Sequence, residues 1–159
     1  MLNNKEWFSE NVRKYKNELY ALAFSILKND EDVKDAVQEA LYKAYDKLDT
    51  LRNLDKFKPW LMRILANSSY EILRGDKNTV SINEYENTLE SSRGIYSATN
   101  ASLWDAVQSL DVKYRTVVVL FYYDDLPIKE IAKILDLKPP TVRKRLSRAR
   151  DQLKTILSP

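Results

Sequence analysis

Residues 128–157, IKEIAKILDLKPPTVRKRLSRARDQLKTIL, decide the fold. Ile128, Ile131, Ala132 and Leu135 recur at i, i+3, i+4 and i+7, which is one face of a short helix. After a three-residue break at 136–138, the spacing predicts a second helix with Val142, Leu146, Ala149, Leu153 and Ile156 turned inward. Pro139 and Pro140 suit its first positions, where a missing N–H has no intrahelical carbonyl to bond. The pair reads as a helix-turn-helix. With those apolar residues facing a core, Arg143, Lys144, Ser147, Arg148 and Asp151 face out. A helix that enters the major groove needs such long cationic and hydrogen-bonding side chains, and arginine forks onto guanine edges or pairs with phosphates. A two-helix hairpin with a solvated basic face would show the same pattern.

Charge along the chain supports the DNA reading. The net +3 divides into +1 over residues 1–74, −2 over 75–102 and +4 over 103–159. Seven basic residues against the one acid Asp151 fall within 138–154, a cluster that suits an anionic partner.

Upstream of the helix-turn-helix, Trp104, Val107 and Leu110 precede the dense run YRTVVVLFYY at 114–123. Its β-branched content fits a strand, but one strand without a neighbour forms no sheet, so a buried helix is expected. Residues 75–100 hold both glycines with many Ser, Asn and Thr and no helical stripe, the composition of a mobile tether. Near the N-terminus, Phe8, Val12, Tyr15, Leu19, Leu22 and Ile26 form one stripe, predicting a single long helix over 7–27. Asp30 is expected to cap a second helix with Val33, Val37, Ala40, Leu41, Ala44 and Leu48 inward. After a break at 49–56, Phe57, Trp60, Leu61, Ile64, Leu65, Ser68 and Ile72 predict a third, with Pro59 tolerable in its first turn. The expected fold is all-α: a three-helix unit and a helix-turn-helix unit joined by a flexible linker.

Composition agrees with helices and narrows the chemistry. The 159 residues, 44% hydrophobic and 31% charged, suit a globular chain of one domain or two small ones. Two glycines are too few for a many-turned sheet fold. Without cysteine or histidine there is no thiol nucleophile, disulfide, zinc finger, Ser-His-Asp triad or HExxH site. No apolar run approaches a membrane span, and Glu6, Trp7 and Phe8 stand where a signal peptide would be basic and then apolar, so a cytosolic protein without membrane insertion is expected. No catalytic residue, metal or cofactor is expected.

Three motifs then converge. The second helix reads Asp35-Ala36-Val37-Gln38-Glu39, the third Trp60-Leu61-Met62-Arg63-Ile64-Leu65-Ala66-Asn67, and the last Thr141-Val142-Arg143-Lys144-Arg145-Leu146-Ser147-Arg148-Ala149-Arg150. In this order and spacing the chain resembles the extracytoplasmic-function (ECF) sigma factors of the bacterial RNA polymerase sigma-70 family. The resemblance implies a sigma-2 domain over 1–74, a linker over 75–100 and a sigma-4 domain over 101–159. It implies that Asp35, Gln38 and Glu39 dock on the β′ coiled coil of the polymerase core, and that residues 103–121 hold the tip of the β flap. It further implies minus-10 promoter contacts from Arg52, Asn53, Lys56, Lys58, Trp60, Arg63 and Asn67, with Asn67 lining a pocket for an extruded base. Trp60 fits a stacking platform and a core position equally well. Minus-35 contacts are implied for Thr141, Arg143, Lys144, Arg145 and Arg148. An anti-sigma factor, commonly membrane-anchored, is the family's usual regulator.

Three positions depart from the family pattern. Leu51-Arg52-Asn53 stands in place of F-R-G, keeping a residue that tolerates left-handed backbone. Pro140 replaces the glycine before Thr-Val, and Lys138 stands where an N-cap Ser or Asp is usual, an exchange worth about 1 kcal/mol of helix stability. Two other readings compete. A stand-alone helix-turn-helix regulator explains residues 103–159 but leaves Asp35, Gln38 and Glu39 without a task. A magnesium-dependent hydrolase would use Glu31, Asp32, Asp35 and Glu39, but no matching carboxylate pair stands on another helix.

Overall fold

The computed structural model describes residues 3–75 and 101–158, and every regular element among them is helical. The tether expected over 75–100 lies, beyond Gly75, outside the described residues. Four helices form the N-terminal unit: α1 Asn4–Lys14, α2 Lys16–Leu27, α3 Asp30–Asp46 and α4 Phe57–Gly75. Four more form the C-terminal unit: α5 Ala101–Ser109, α6 Val112–Val118, α7 Ile128–Leu135 and α8 Pro139–Leu157. The run 114–123 is helical as expected, although α6 widens into a π turn at Val119–Tyr123.

The single helix expected over 7–27 is two, broken at Tyr15, whose backbone leaves the helical region at φ −106° and ψ 15°. The break lets α1 cross the bundle, so that Trp7 and Phe8 meet the Phe57 ring edge-on at 5.0 and 5.8 Å. Edge-to-face contact suits the ring quadrupoles and adds to the apolar area removed from water. The cap of α3 also differs by one residue. Asn29, not Asp30, holds the extended backbone of an N-cap, and its Oδ1 accepts from the amides of Glu31 at 2.9 Å and Asp32 at 3.1 Å. Lys28 makes this possible by turning into the left-handed region at φ 59° and ending α2. Asp30 joins Glu31 and Asp32 in the first turn of α3, where negative charge favours the helix dipole.

The sequence stripe assigns α2 one inward face, but Leu19 and every residue from Ala21 to Leu27 are buried. A helix apolar all round belongs inside a protein, and α2 lies between α3 and α4 on one side and α6 with its π turn on the other. The interior is accordingly continuous: Leu22, Phe24, Leu61 and Leu65 of the first unit share a cluster with Val117, Leu120, Ile131 and Leu146 of the second. Farther out, α4 packs along α7. Ile156, expected inward, is 49% exposed, because the last turns of α8 run past the body they rest on.

Replacing Asn29 with Ala is expected to cost about 1 kcal/mol of unfolding free energy, as for other lost N-caps, whereas Asp30→Ala costs less. Urea denaturation of the two variants checks this, and equal losses would return the cap to Asp30.

Candidate nucleic-acid interface

The turn between α7 and α8 is short because Asp136 takes the left-handed conformation, at φ 56° and ψ 50°. The Leu137 amide then returns to the Ala132 carbonyl at 2.8 Å, closing the end of α7. Helix α8 begins at Pro139 after Lys138, which makes no side-chain capping bond. Val142, Leu146 and Ala149 are buried, which fixes the rotation of α8 and leaves Arg143, Lys144, Ser147 and Arg148 exposed on the opposite face. Thr141 is half-buried at the start of the helix. Arg145 is also half-buried and turns toward α4, close enough to act on the Tyr70 hydroxyl. Burial raises the pKa of that hydroxyl, while its hydrogen bond with Thr116 and the charges of Arg145 and Arg115 pull it down. Arg150 faces neither group: its Nε donates to the Tyr122 hydroxyl at 2.5 Å, and its guanidinium lies over the rings of Phe121 and Tyr122 at 6.0 and 5.7 Å.

The minus-10 candidates do not form one free surface. Arg52 and Asn53 are exposed in the loop before α4, and Asn53 Oδ1 accepts from the Asp55 amide at 3.0 Å. Asn53 is extended, at φ −119°, so its tolerance for left-handed backbone goes unused. Arg63 and Asn67 are exposed one turn apart on α4. Trp60 is half-buried, packed against the core with its ring 6.0 Å from Phe57. Lys56 and Lys58 instead reach the C-terminal unit. Lys56 Nζ pairs with Glu130 Oε1 at 2.9 Å, and Lys58 Nζ donates to the Asp124 carbonyl at 2.6 Å while lying over the Tyr15 ring. Both contacts belong to a polar seam between the units, continued by Arg115 Nε donating to the Ser25 carbonyl at 2.6 Å and by Phe24 stacked on Trp104.

On α3, Asp35, Gln38 and Glu39 are exposed and lie at i, i+3 and i+4 on one face. Glu39 pairs with Lys43 at 3.0 Å, and Lys43 reaches Glu71 of α4 at 3.5 Å. The sequence reading missed Tyr42, which is 81% exposed and continues the same face beside Gln38 and Glu39. The signal was present, because Tyr42 falls off the apolar stripe of its helix. Among the described residues, no three acidic, His or Cys side chains gather as a metal ion would require. No helix among them is long and apolar enough to cross a membrane.

Two family models match the chain: Sigma-70 region 2 over residues 12–79, and Sigma-70, region 4 over residues 100–153. RNA polymerase sigma factor SigV of Bacillus subtilis is 34% identical over 141 residues, covering 87% of this chain and 83% of that protein. The ECF RNA polymerase sigma-E factor of Escherichia coli K12 is 33% identical, covering 80% and 75%. Among solved structures, CnrH in complex with the cytosolic domain of CnrY matches with a TM-score of 0.70 at 27% identity, covering 96% of this chain and 88% of that one. The sigma factor RpoE of Bartonella quintana, in complex with the anti-sigma factor NepR, shares the fold with a TM-score of 0.74 at 23% identity, covering 94% and 96%. The chain belongs to the sigma-70 family, within its ECF group. Its function is that of an alternative sigma factor, a transcription initiation factor.

The seam carries its own pH dependence. Burial, with the nearby Glu18 carboxylate adding to it, raises Asp124 from 3.8 to about 8 against the pull of Lys58. The unfolded chain releases this proton near pH 4 and the folded chain holds it, so the stability it contributes is present in acid and lost as pH rises toward 8. Asp124→Asn removes the titration. The stability of wild type relative to this variant is expected to fall between pH 4 and 8 in denaturant melts, and parallel curves would refute the assignment.

Proposed function

We propose that the chain directs RNA polymerase core to its promoters by three separate surfaces. The observation that carries this reading is the rotation of α8, which buries Val142, Leu146 and Ala149 and thereby offers Arg143, Lys144, Ser147 and Arg148 together on an exposed face. In the major groove of the minus-35 element these side chains supply base-edge and phosphate contacts, with Thr141 at the helix start. Arg145 steadies the helix from its inner side.

Minus-10 recognition falls to the loop before α4 and to the exposed side of α4. Arg52 and Asn53 reach base edges, Arg63 binds the backbone, and Asn67 offers its amide to an extruded base. Trp60 supports this surface from below as part of the core. Lys56 and Lys58 join it only when the C-terminal unit releases them, so promoter binding requires the seam to part. Asp35, Gln38 and Glu39, flanked by Tyr42, form the acidic face that docks on the β′ coiled coil. Helices α5 and α6, with the exposed aromatics of the π turn, hold the β flap. The chain itself performs no catalysis and works in the cytoplasm, where the polymerase is. An anti-sigma factor is its regulator, by analogy with the solved relatives bound to NepR and CnrY.

Arg143→Ala and Arg148→Ala are each expected to weaken promoter binding, by about 1–3 kcal/mol where the contact is to a base edge. Run-off transcription with core enzyme on templates with and without a minus-35 element measures this; unchanged minus-35 dependence would exclude α8 as the reader. Combining Gln38→Ala with Glu39→Ala is expected to abolish competition for core polymerase while the circular dichroism spectrum stays helical. Competition at wild-type strength would remove α3 from the docking surface.

A further inference from the structure

Across the seam from Lys58, the π turn of the C-terminal unit ends on Asp124. Backbone hydrogen bonds pin this corner: the Asp124 amide donates to the Val119 carbonyl at 2.9 Å, and the Leu126 amide to the Leu120 carbonyl at 3.1 Å. The Asp124 side chain is 0% exposed, and neither carboxyl oxygen has a hydrogen-bond partner. From α2 of the first unit the Glu18 carboxylate acts on it, and Glu18 Oε2 is likewise buried without a partner. From α4 the cation within reach is Lys58, whose Nζ already donates to the Asp124 carbonyl. The other charged and titratable groups around the turn are engaged or turned to water. Glu130 of α7 is paired with Lys56, Tyr122 with Arg150, and Asp125 is exposed. Burial and the two carboxylates raise the Tyr123 hydroxyl, which keeps its proton.

Two carboxyl groups and one ammonium therefore meet where the units join. With Glu18 and Asp124 both ionised, two negative charges stand against Lys58 alone, and the Asp124 charge has neither water nor a donor to compensate it. A proton on Asp124 leaves one charge of each sign and removes the most costly group, a buried carboxylate without hydrogen bonds. Parting of the units lets water reach both carboxyl groups, and Asp124 then returns toward its ordinary 3.8 from about 8. Between these values the joined state holds one proton more than the parted state. Acid therefore favours joining, and rising pH favours parting until the proton is lost from the joined state as well.

We propose that Asp124, facing Glu18 and Lys58 across the seam, is a proton-operated latch: protonated it holds the two units together, and ionised it parts them and frees Lys56 and Lys58. The latch rests on the reading in which the units must part before these lysines meet DNA. It adds an input to that step, the pH around the chain, which neither the α8 face nor the α3 face senses.

The chain has no cysteine, so one introduced thiol reports on one place. Ala21→Cys sets it on α2, at a position 0% exposed and packed with Val107, Val118 and Ala149 of the other unit. Ala36→Cys sets it inside the first unit, at a position 0% exposed on α3, which packs on α2 and α4. The labelling rate of each full chain, divided by its rate in urea at the same pH, gives the fraction of time that the site is open. At Ala21→Cys this fraction is expected to rise about tenfold per pH unit between about pH 5 and 7, while Ala36→Cys stays protected. Adding Asp124→Asn, which imitates the protonated carboxyl group, leaves the fraction flat. In folded variants Glu18→Gln ends the rise at lower pH than wild type and Lys58→Met carries it to higher pH, opposite shifts that loosened packing alone does not produce. Labelling uses neither DNA nor polymerase, so a failure here leaves the promoter reading to its own run-off test. The latch is overturned if opening at Ala21→Cys does not change with pH, if Asp124→Asn opens with the same pH dependence, if Ala36→Cys is labelled in step with Ala21→Cys, or if the two charge variants shift the rise in the same direction.

Discussion

From Ala21 to Leu27 helix α2 is buried on every side, and the rest of the molecule follows from that. A helix leaves its last carbonyls without intrahelical partners, and inside a protein those groups need donors. At the end of α2 the Ser25 carbonyl receives Arg115 from the other unit. The same arginine takes up the Leu110 carbonyl at the turn from α5 to α6. One buried guanidinium thus ties the end of one unit to the entry of the other. The apolar flanks of α2 close the contact on both sides, so hydrophobic burial and polar satisfaction favour the same arrangement.

That arrangement has a functional side. Under the proposed function the two units read separate promoter elements, and Lys56 and Lys58 become free for DNA when the units part. In the joined state the seam occupies Lys56 and Lys58 while leaving the outer faces of α8 and α3 exposed. The lysines of the seam suit reversible contact, since Lys56, exposed at its end, and Lys58 exchange the Glu130 carboxylate and the Asp124 carbonyl for water or phosphate when the units part. A single ion pair such as Lys56–Glu130 adds little stability beside the buried apolar area, so the apolar contacts of α2 carry most of the affinity between the units.

The surfaces proposed to meet polymerase and DNA rest on rigid helices whose rotation is set by small buried residues. Ala36 and Ala40 bring α3 close to its neighbours and turn Asp35, Gln38 and Glu39 outward; Ala149 does the same for α8 and Arg148. Sites built on helix faces hold their geometry better than sites on loops. The loop before α4 is the exception, and its two short 3-10 turns at Leu48–Thr50 and Leu54–Lys56 restrict it.

Periodicity and chemistry alone determined the helical class, the helix-turn-helix, the start of α8 at Pro139, and the outward faces of α3 and α8. These depend on side chains close in sequence, whose spacing reports which face meets a core. The family followed from motif order, because three separated motifs constrain one another more than any one does. Tertiary structure alone decided the break at Tyr15, the burial of α2 all round from Ala21 to Leu27, the turn of Arg145 toward Tyr70, the engagement of Lys56 and Lys58, and the half-burial of Trp60. The burial of α2, the turn of Arg145 and the engagement of Lys56 and Lys58 depend on what lies across the seam, and the break at Tyr15 and the place of Trp60 on packing against Phe57 within the first unit. The physical reason is that a stripe shows a helix needs one partner, whereas a second partner from residues 90 positions away, as Arg115 is from Ser25, leaves no local mark.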